Sequence, residues 1–170
     1  QGAAAIRAAV GPGSRSATPG SRLAGGTTDN PTYENYSQSG HIEAVQVYYD
    51  PDRISYEQLL DVLWRHIDPT DPNGQFVDRG NQYRSAIFYN NKEERRIAQE
   101  SREALDKKKR FSQPIVTEIL KFERFYPAED YHQDYYRRNP LRYKFYRSNS
   151  GRDRFLAKTW GTDKNNAGSS

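Results

Sequence analysis

The strongest constraint in this sequence is one alternation followed at once by a change of period. From His41 to Asp50 the chain reads His-Ile-Glu-Ala-Val-Gln-Val-Tyr-Tyr-Asp. A strand there sets Glu43, Val45, Val47 and Tyr49 on one face. Pro51-Asp52 ends it. Ser55, with Gln58 three residues on, makes a capping box, and Leu59, Leu60, Leu63, Trp64 and Ile67 then recur at helical spacing as far as Asp68-Pro69. Residues 68–83 are dense in Pro, Asp, Asn and Gly and form a loop, and Arg84–Tyr89 forms a second strand. Asn91 with Glu94 opens a long polar helix to about Arg110. Its narrow stripe (Ile97, Ala98, Ala104, Leu105) marks it as peripheral. Pro114 precedes a third alternating strand, Ile115–Phe122, and a short helix after Pro127 carries Tyr131, His132, Tyr135 and Tyr136. This order of strand, helix, strand, helix, strand predicts an α+β sheet with helices packed on one or both faces.

At 170 residues the chain is predicted to form one domain. Only 34% of it is apolar, a shortfall partly offset by 13 Tyr, 7 Phe and 2 Trp. No run approaches the roughly 18 apolar residues of a spanning helix, so a soluble chain is expected; a cytoplasmic location is expected as well. The net charge of +4 is not spread evenly. Residues 137–158 hold eight Lys/Arg against one Asp, leaving the remainder acidic. That run reads either as a solvated, salt-bridged tail or as a nucleic-acid contact, and the first reading is preferred. The chain has no Cys and only three His, without close mutual spacing. It therefore offers no disulfide, no thiolate metal site, no thiol catalysis and no metal signature, and no cofactor is expected.

Residues 1–24 are different material: nearly all Ala, Gly, Ser, Arg and Pro, with no acid and no aromatic. They are read as a disordered or atypical segment, residues 25–161 as the domain, and 162–170 as a flexible tail.

Two places carry candidate chemistry. Glu43 shares its strand face with Val45 and Val47. If that face is buried, desolvation raises the carboxyl pKa and makes it a proton donor near neutral pH; otherwise it is a strand-end carboxylate reaching water beside His41. The loop Gly74-Gln75-Phe76-Val77-Asp78-Arg79-Gly80-Asn81-Gln82-Tyr83 lets backbone approach a ligand and offers Asp78 and Tyr83 as hydrogen-bonding groups, or else is an ordinary connection.

Taken together, several segments in order resemble the A-type peptide-methionine (S)-sulfoxide reductase family. They are Gly25-Gly26-Thr27, Asn30-Pro31-Thr32-Tyr33-Glu34, Gly40-His41-Ile42-Glu43-Ala44-Val45, Tyr49-Asp50-Pro51 and His66-Ile67-Asp68-Pro69-Thr70-Asp71. Gly74-Gln75-Phe76-Val77-Asp78-Arg79-Gly80, Gln82-Tyr83-Arg84-Ser85-Ala86-Ile87 and Phe125-Tyr126-Pro127-Ala128-Glu129-Asp130-Tyr131-His132-Gln133 complete the series. The resemblance covers about residues 24–161. It implies an α+β two-layer sandwich around a mixed sheet with a ferredoxin-like core. It also implies reduction of methionine (S)-sulfoxide in peptides and free in solution, thioredoxin as reductant, and a monomer. Glu43 matches the family's acid, thought to be protonated and to donate to the sulfoxide oxygen. Tyr33 and Tyr83 match phenols that bond the same oxygen, and Asp78 matches the carboxylate that orders the surrounding network. Such donors stabilise the charge pushed onto oxygen when a nucleophile attacks sulfur.

The family's Gly-Cys-Phe-Trp, at the end of its first strand and the start of its first helix, has no counterpart here. Cys is the nucleophile, and Phe and Trp enclose the substrate methyl group. Ser14 and Ser16 cannot replace it, because the cycle needs a thiol that becomes a sulfenic acid and then a disulfide. Pro140–Tyr146 and Ser150–Asp153 resemble the branch without resolving cysteines in its tail, so loss of the N-terminal motif removes both thiols. The expectation is a chain inactive as a reductase, lacking the family's first strand and helix. The alternatives are a non-catalytic module binding oxidised methionine or another protein and, less favoured, a nucleic-acid-binding protein. The compositional break near residue 24 is read as an altered N-terminus, such as a reading-frame fault would produce; sequencing the encoding DNA decides it.

Overall fold

The computed structural model describes residues 5–10, 20–24, 40–127 and 140–161. In chain order these give β1 (Ala5–Val10), β2 (Gly20–Ala24), β3 (Ile42–Tyr49), α1 (Tyr56–Trp64), β4 (Gly74–Gln75) and β5 (Asp78–Arg79). A 3-10 turn (Asn81–Tyr83), β6 (Ala86–Tyr89), α2 (Lys92–Lys107), β7 (Glu118–Lys121) and β8 (Phe125–Pro127) follow, then α3 (Pro140–Asn149) and α4 (Arg152–Trp160).

Six strands form a mixed sheet in the order β7-β6-β1-β3-β2-β8, and β4 and β5 make a separate hairpin. β7, β6, β1 and β3 run parallel, while β2 and β8 are antiparallel to their neighbours. The α+β mixed sheet therefore stands as expected. Alternation sorts the side chains of β3 and β6 between two cores. Ile42, Ala44, Ala86 and Phe88 meet Leu120 and Phe122 on one face. On the other, Ile87 and Tyr49 join the helices through Tyr56, Leu60, Leu63, Trp64, Ala98, Leu105, Leu156 and Trp160. Burying a large apolar side chain contributes about 1.5–3 kcal/mol, so the second cluster holds the sheet against its helices, while the first joins β3, β6 and the end of β7 across the opposite face.

The local signals behave as their chemistry demands. Ser55 Oγ accepts from the Gln58 N–H at 3.2 Å and Gln58 Oε1 accepts from the Ser55 N–H at 2.8 Å, closing the predicted capping box. Asn91 caps α2 through the Glu94 N–H at 2.9 Å. Trp64 Nε1 donates to Ser101 Oγ at 2.8 Å, which ties α1 to α2. Only Ala98 and Leu105 of α2 are buried, as its narrow stripe predicts. The third strand is shorter than its alternation: ladder pairing covers Glu118–Lys121, because the Val116 N–H is taken by the Pro69 carbonyl at 2.8 Å.

Two expectations need correction. Within the segment 1–24, expected to be disordered or atypical, residues 5–10 and 20–24 form β1 and β2. β1 stands in the sheet's centre, its six residues paired with Ala44–Tyr49 of β3 and its first three with Ala86–Phe88 of β6. The family's first strand and helix are missing as sequence, and Ala5–Val10 occupies a strand position between β3 and β6. The physical reason is that the facing edges of β3 and β6 present unpaired N–H and C=O groups, which any extended backbone can satisfy. From residue 140 on, the basic run is likewise more than a solvated, salt-bridged tail: its Leu156 is buried in the helical core, with Trp160 of the same helix just beyond the run. Amphipathic spacing of Phe155, Leu156 and Trp160 carried that signal, masked by the charge around it. The helix expected after Pro127 and the expected tail 162–170 lie outside the described residues. Among the described residues no helix is long and apolar enough to cross a membrane.

Candidate functional site

Glu43 is the second residue of β3, and its backbone pairs with Leu23 of β2. Its side chain is 8% exposed, and no Lys or Arg of the described residues pairs with it. Burial raises its pKa to about 7, with a smaller lowering pull from the N-terminal charge and a still smaller upward push from the Asp78 carboxylate. At neutral pH the carboxyl is thus poised between a proton donor and a carboxylate. The alternative of a strand-end Glu reaching water beside His41 does not hold, since His41 is 1% exposed and meets the Tyr126 ring edge-on at 5.6 Å.

Asp78 comes from the β4–β5 hairpin, whose register pairs Gln75 with Asp78 and Gly74 with Arg79. Gly74 is required for close approach: a Cβ on it would lie 2.2 Å from the Asp78 carbonyl oxygen. Buried Gln75 fixes the hairpin's base by accepting the Asp68 N–H at 3.0 Å and donating to the Asp68 carbonyl at 2.7 Å. Arg79 pairs with Asp71, and the Gly80 N–H donates to the Asn73 carbonyl at 2.8 Å. The Arg79 guanidinium holds the Asp71 carboxyl below the ordinary carboxylate range.

Tyr83 closes the 3-10 turn, its N–H donating to the Gly80 carbonyl at 3.0 Å. Arg84 then staples this turn to the start of β3. Its guanidinium donates to the Asn81 carbonyl at 2.8 Å, to the Gly40 carbonyl at 3.4 Å and to Glu118 at 2.5 Å. The loop 68–83 and the start of β3 are therefore one assembly, bringing Asp78 within electrostatic reach of Glu43. Tyr33 lies outside the described residues. An open cleft of about 410 Å³ nearby shares Asn81 and Arg84 with this assembly, but Glu43, Asp78 and Tyr83 do not line it. Among the described residues no group of His, Asp and Glu is arranged to hold a metal ion.

The direction of β1 bears on the missing nucleophile. Ala5 sits beside Ala44 and Val10 beside Tyr49. The strand's end is therefore six residues along β3 from Glu43, about 20 Å at 3.3 Å per residue. A thiol placed at the end of this strand would stand at the wrong end of the sheet from the acid.

The family model for peptide methionine sulfoxide reductases matches residues 14–164. The chain belongs to the peptide methionine sulfoxide reductase family. It is 54% identical over 143 residues to peptide methionine sulfoxide reductase MsrA of Halalkalibacterium halodurans, covering 83% of this chain and 81% of that protein. To the MsrA/MsrB protein of Vibrio cholerae it is 52% identical over 147 residues, 85% of this chain but 39% of that longer protein. Among solved structures it resembles Mxr1 from Saccharomyces cerevisiae in reduced form, with a TM-score of 0.67 at 31% identity over 72% of this chain and 71% of that one. Methionine sulfoxide reductase A of Corynebacterium diphtheriae gives a TM-score of 0.61 at 34% identity over 73% and 66%. The reductase family thus accounts for the fold, and the absence of cysteine sets this member apart from thiol chemistry.

Proposed function

We propose that this chain is a methionine sulfoxide reductase relative that keeps the oxygen-side half of its site and does not turn over. The observation that carries the reading is a Glu43 carboxyl buried at the start of β3, where desolvation raises its pKa, in a chain without cysteine. Reduction transfers oxygen from a sulfoxide to a thiol, giving a sulfenic acid that a second thiol resolves; a hydroxyl cannot follow that course. In this reading Glu43, Tyr83, Tyr33 and Asp78 form the donors and network around a sulfoxide oxygen. Oxidised methionine in peptides is the ligand class they fit. Thioredoxin, the family's reductant, has no disulfide to reduce here. A monomer in the cytoplasm completes the reading.

The test is direct. The purified chain, free of contaminating reductase, is incubated with a methionine-(S)-sulfoxide peptide and dithiothreitol. No conversion is expected, and clear turnover overturns the proposal.

A second reading, a binding module, is favoured by the same buried carboxyl. Its protonated form can donate to a sulfoxide oxygen without reducing it. Without the family's Phe-Trp pair to enclose the methyl group, weak affinity is expected. Calorimetry with an oxidised peptide at pH 6 checks it: heat that disappears with the reduced peptide supports binding, and no heat with either removes it.

A further inference from the structure

The hairpin that carries Asp78 turns on an unsuited residue. Gln75 pairs with Asp78, so Phe76 and Val77 form its two-residue loop. Loops of this kind favour a positive φ at the first position, where glycine fits without strain. Here that position is Phe76, with φ at 56°. A bulky residue held there persists only where its surroundings over-determine it.

Those surroundings come from the far end of the chain. The Arg152 guanidinium lies over the Phe76 ring, 4.8 Å from its centroid, and Phe155 meets the same ring edge-on at 5.6 Å. Both belong to α4, which is itself fixed. Its Leu156 and Trp160 are buried, Arg152 donates to the His66 carbonyl at 3.1 Å, and Phe155 stacks on Phe111 at 6.4 Å. The base of the hairpin is secured separately by Gln75 and by the Arg79–Asp71 pair, so α4 acts on its tip. Asp78 is two residues beyond Phe76, with its carbonyl pressed against Gly74. A hairpin this tight transmits a movement of its tip to Asp78.

We infer that Arg152 and Phe155 are positioning residues for the oxygen-side site: they hold Phe76 in its left-handed turn and thereby fix where the Asp78 carboxylate stands relative to buried Glu43. The inference rests on the assignment of Glu43 and Asp78 to one site. The Asp78 carboxylate raises the Glu43 pKa, on top of burial and against the opposing N-terminal charge, so a displaced Asp78 should lower the Glu43 midpoint.

The experiment follows the Glu43 carboxyl carbon by NMR across pH in the full-length chain. Arg152→Ala and Phe155→Leu should each lower the Glu43 midpoint by about half a pH unit, roughly threefold in proton affinity. With Asp78→Asn already in place, neither should lower it further. Midpoints unmoved by both substitutions, or moved equally with Asp78→Asn present, overturn the inference. Should either variant fail to fold, Phe76→Gly decides. Glycine takes the turn unaided, so the midpoint should stay at its wild-type value, and a fall would overturn the inference. A wild-type midpoint in the ordinary carboxylate range would remove the site assignment and the inference with it. Absence of turnover, measured separately, is untouched by any of these outcomes.

Discussion

β1 and β3 lie side by side in the centre of one sheet, hydrogen-bonded along six residues, yet they carry opposite amounts of information. β3 alternates, buries Ile42 and Ala44 in one core and brings Glu43 into a setting that changes its acidity. β1 reads Ala-Ile-Arg-Ala-Ala-Val, holds none of the family's motif, and ends about 20 Å from the acid. Backbone pairing asks only for an extended chain, whereas a reaction asks for particular side chains at a particular end of the strand. A sheet position can therefore be filled while the chemistry that belongs to it is lost.

The largest effect should come from exchanging the uninformative strand. Replacing residues 1–24 with a first strand and helix carrying Gly-Cys-Phe-Trp should create dithiothreitol-dependent reduction, about 10⁴-fold or more over the unmodified chain. Val10→Cys alone should create none, because it stands beside Tyr49 and not beside Glu43. Activity in Val10→Cys would break the comparison, since β1 would then have to run the other way.

Next comes the packing of the informative half. Phe88, 1% exposed on β6, should cost about 3–5 kcal/mol when changed to Ala, read as a shift in the urea midpoint. A cost below 1 kcal/mol would mean that the second face of the sheet is not a true core.

Acidity gives a comparable but pH-confined effect. Glu43 has a folded pKa of about 7 against an ordinary value of 4.5, so the folded state holds a proton that the unfolded chain releases in between. Its contribution to stability is complete below pH 4.5 and is lost as pH rises through 7. The loss is about 3 kcal/mol. Glu43→Gln should remove this part of the pH dependence in denaturant titrations at pH 4.5 and 7.5. An unchanged difference between the two pH values would show that Glu43 is not its source. The smallest effect belongs to the exposed Arg79–Asp71 pair: Arg79→Ala should cost about 0.5 kcal/mol or less, diminishing further in high salt.

Much of the informative half was legible from residues 41–110. The capping residues of α1 and α2 act locally, and β3's alternation requires only one buried face, so neither depends on distant parts of the chain. Glu43 and Asp78 were marked by segment-by-segment resemblance, and burial then resolved what spacing had left open for Glu43. Other features are non-local. Nothing near Phe76 announces a left-handed turn, because the rings and guanidinium that support it arrive some eighty residues later. His41 gave no sign of its burial against Tyr126, which sits on β8. β1 and β2 were missed for a different reason: their composition lacks the apolar pattern by which strands are recognised, and their pairing depends on edges that β3, β6 and β8 provide.

The measurement closest to the heart of this account is the carbon-13 titration of Glu43 in the unmodified chain. A midpoint near pH 7 would show that the proton-donating half of a sulfoxide site survives in a protein without the sulfur to use it. A midpoint near 4.5 would mean an ordinary, hydrated carboxylate, and the preserved half would be no site at all.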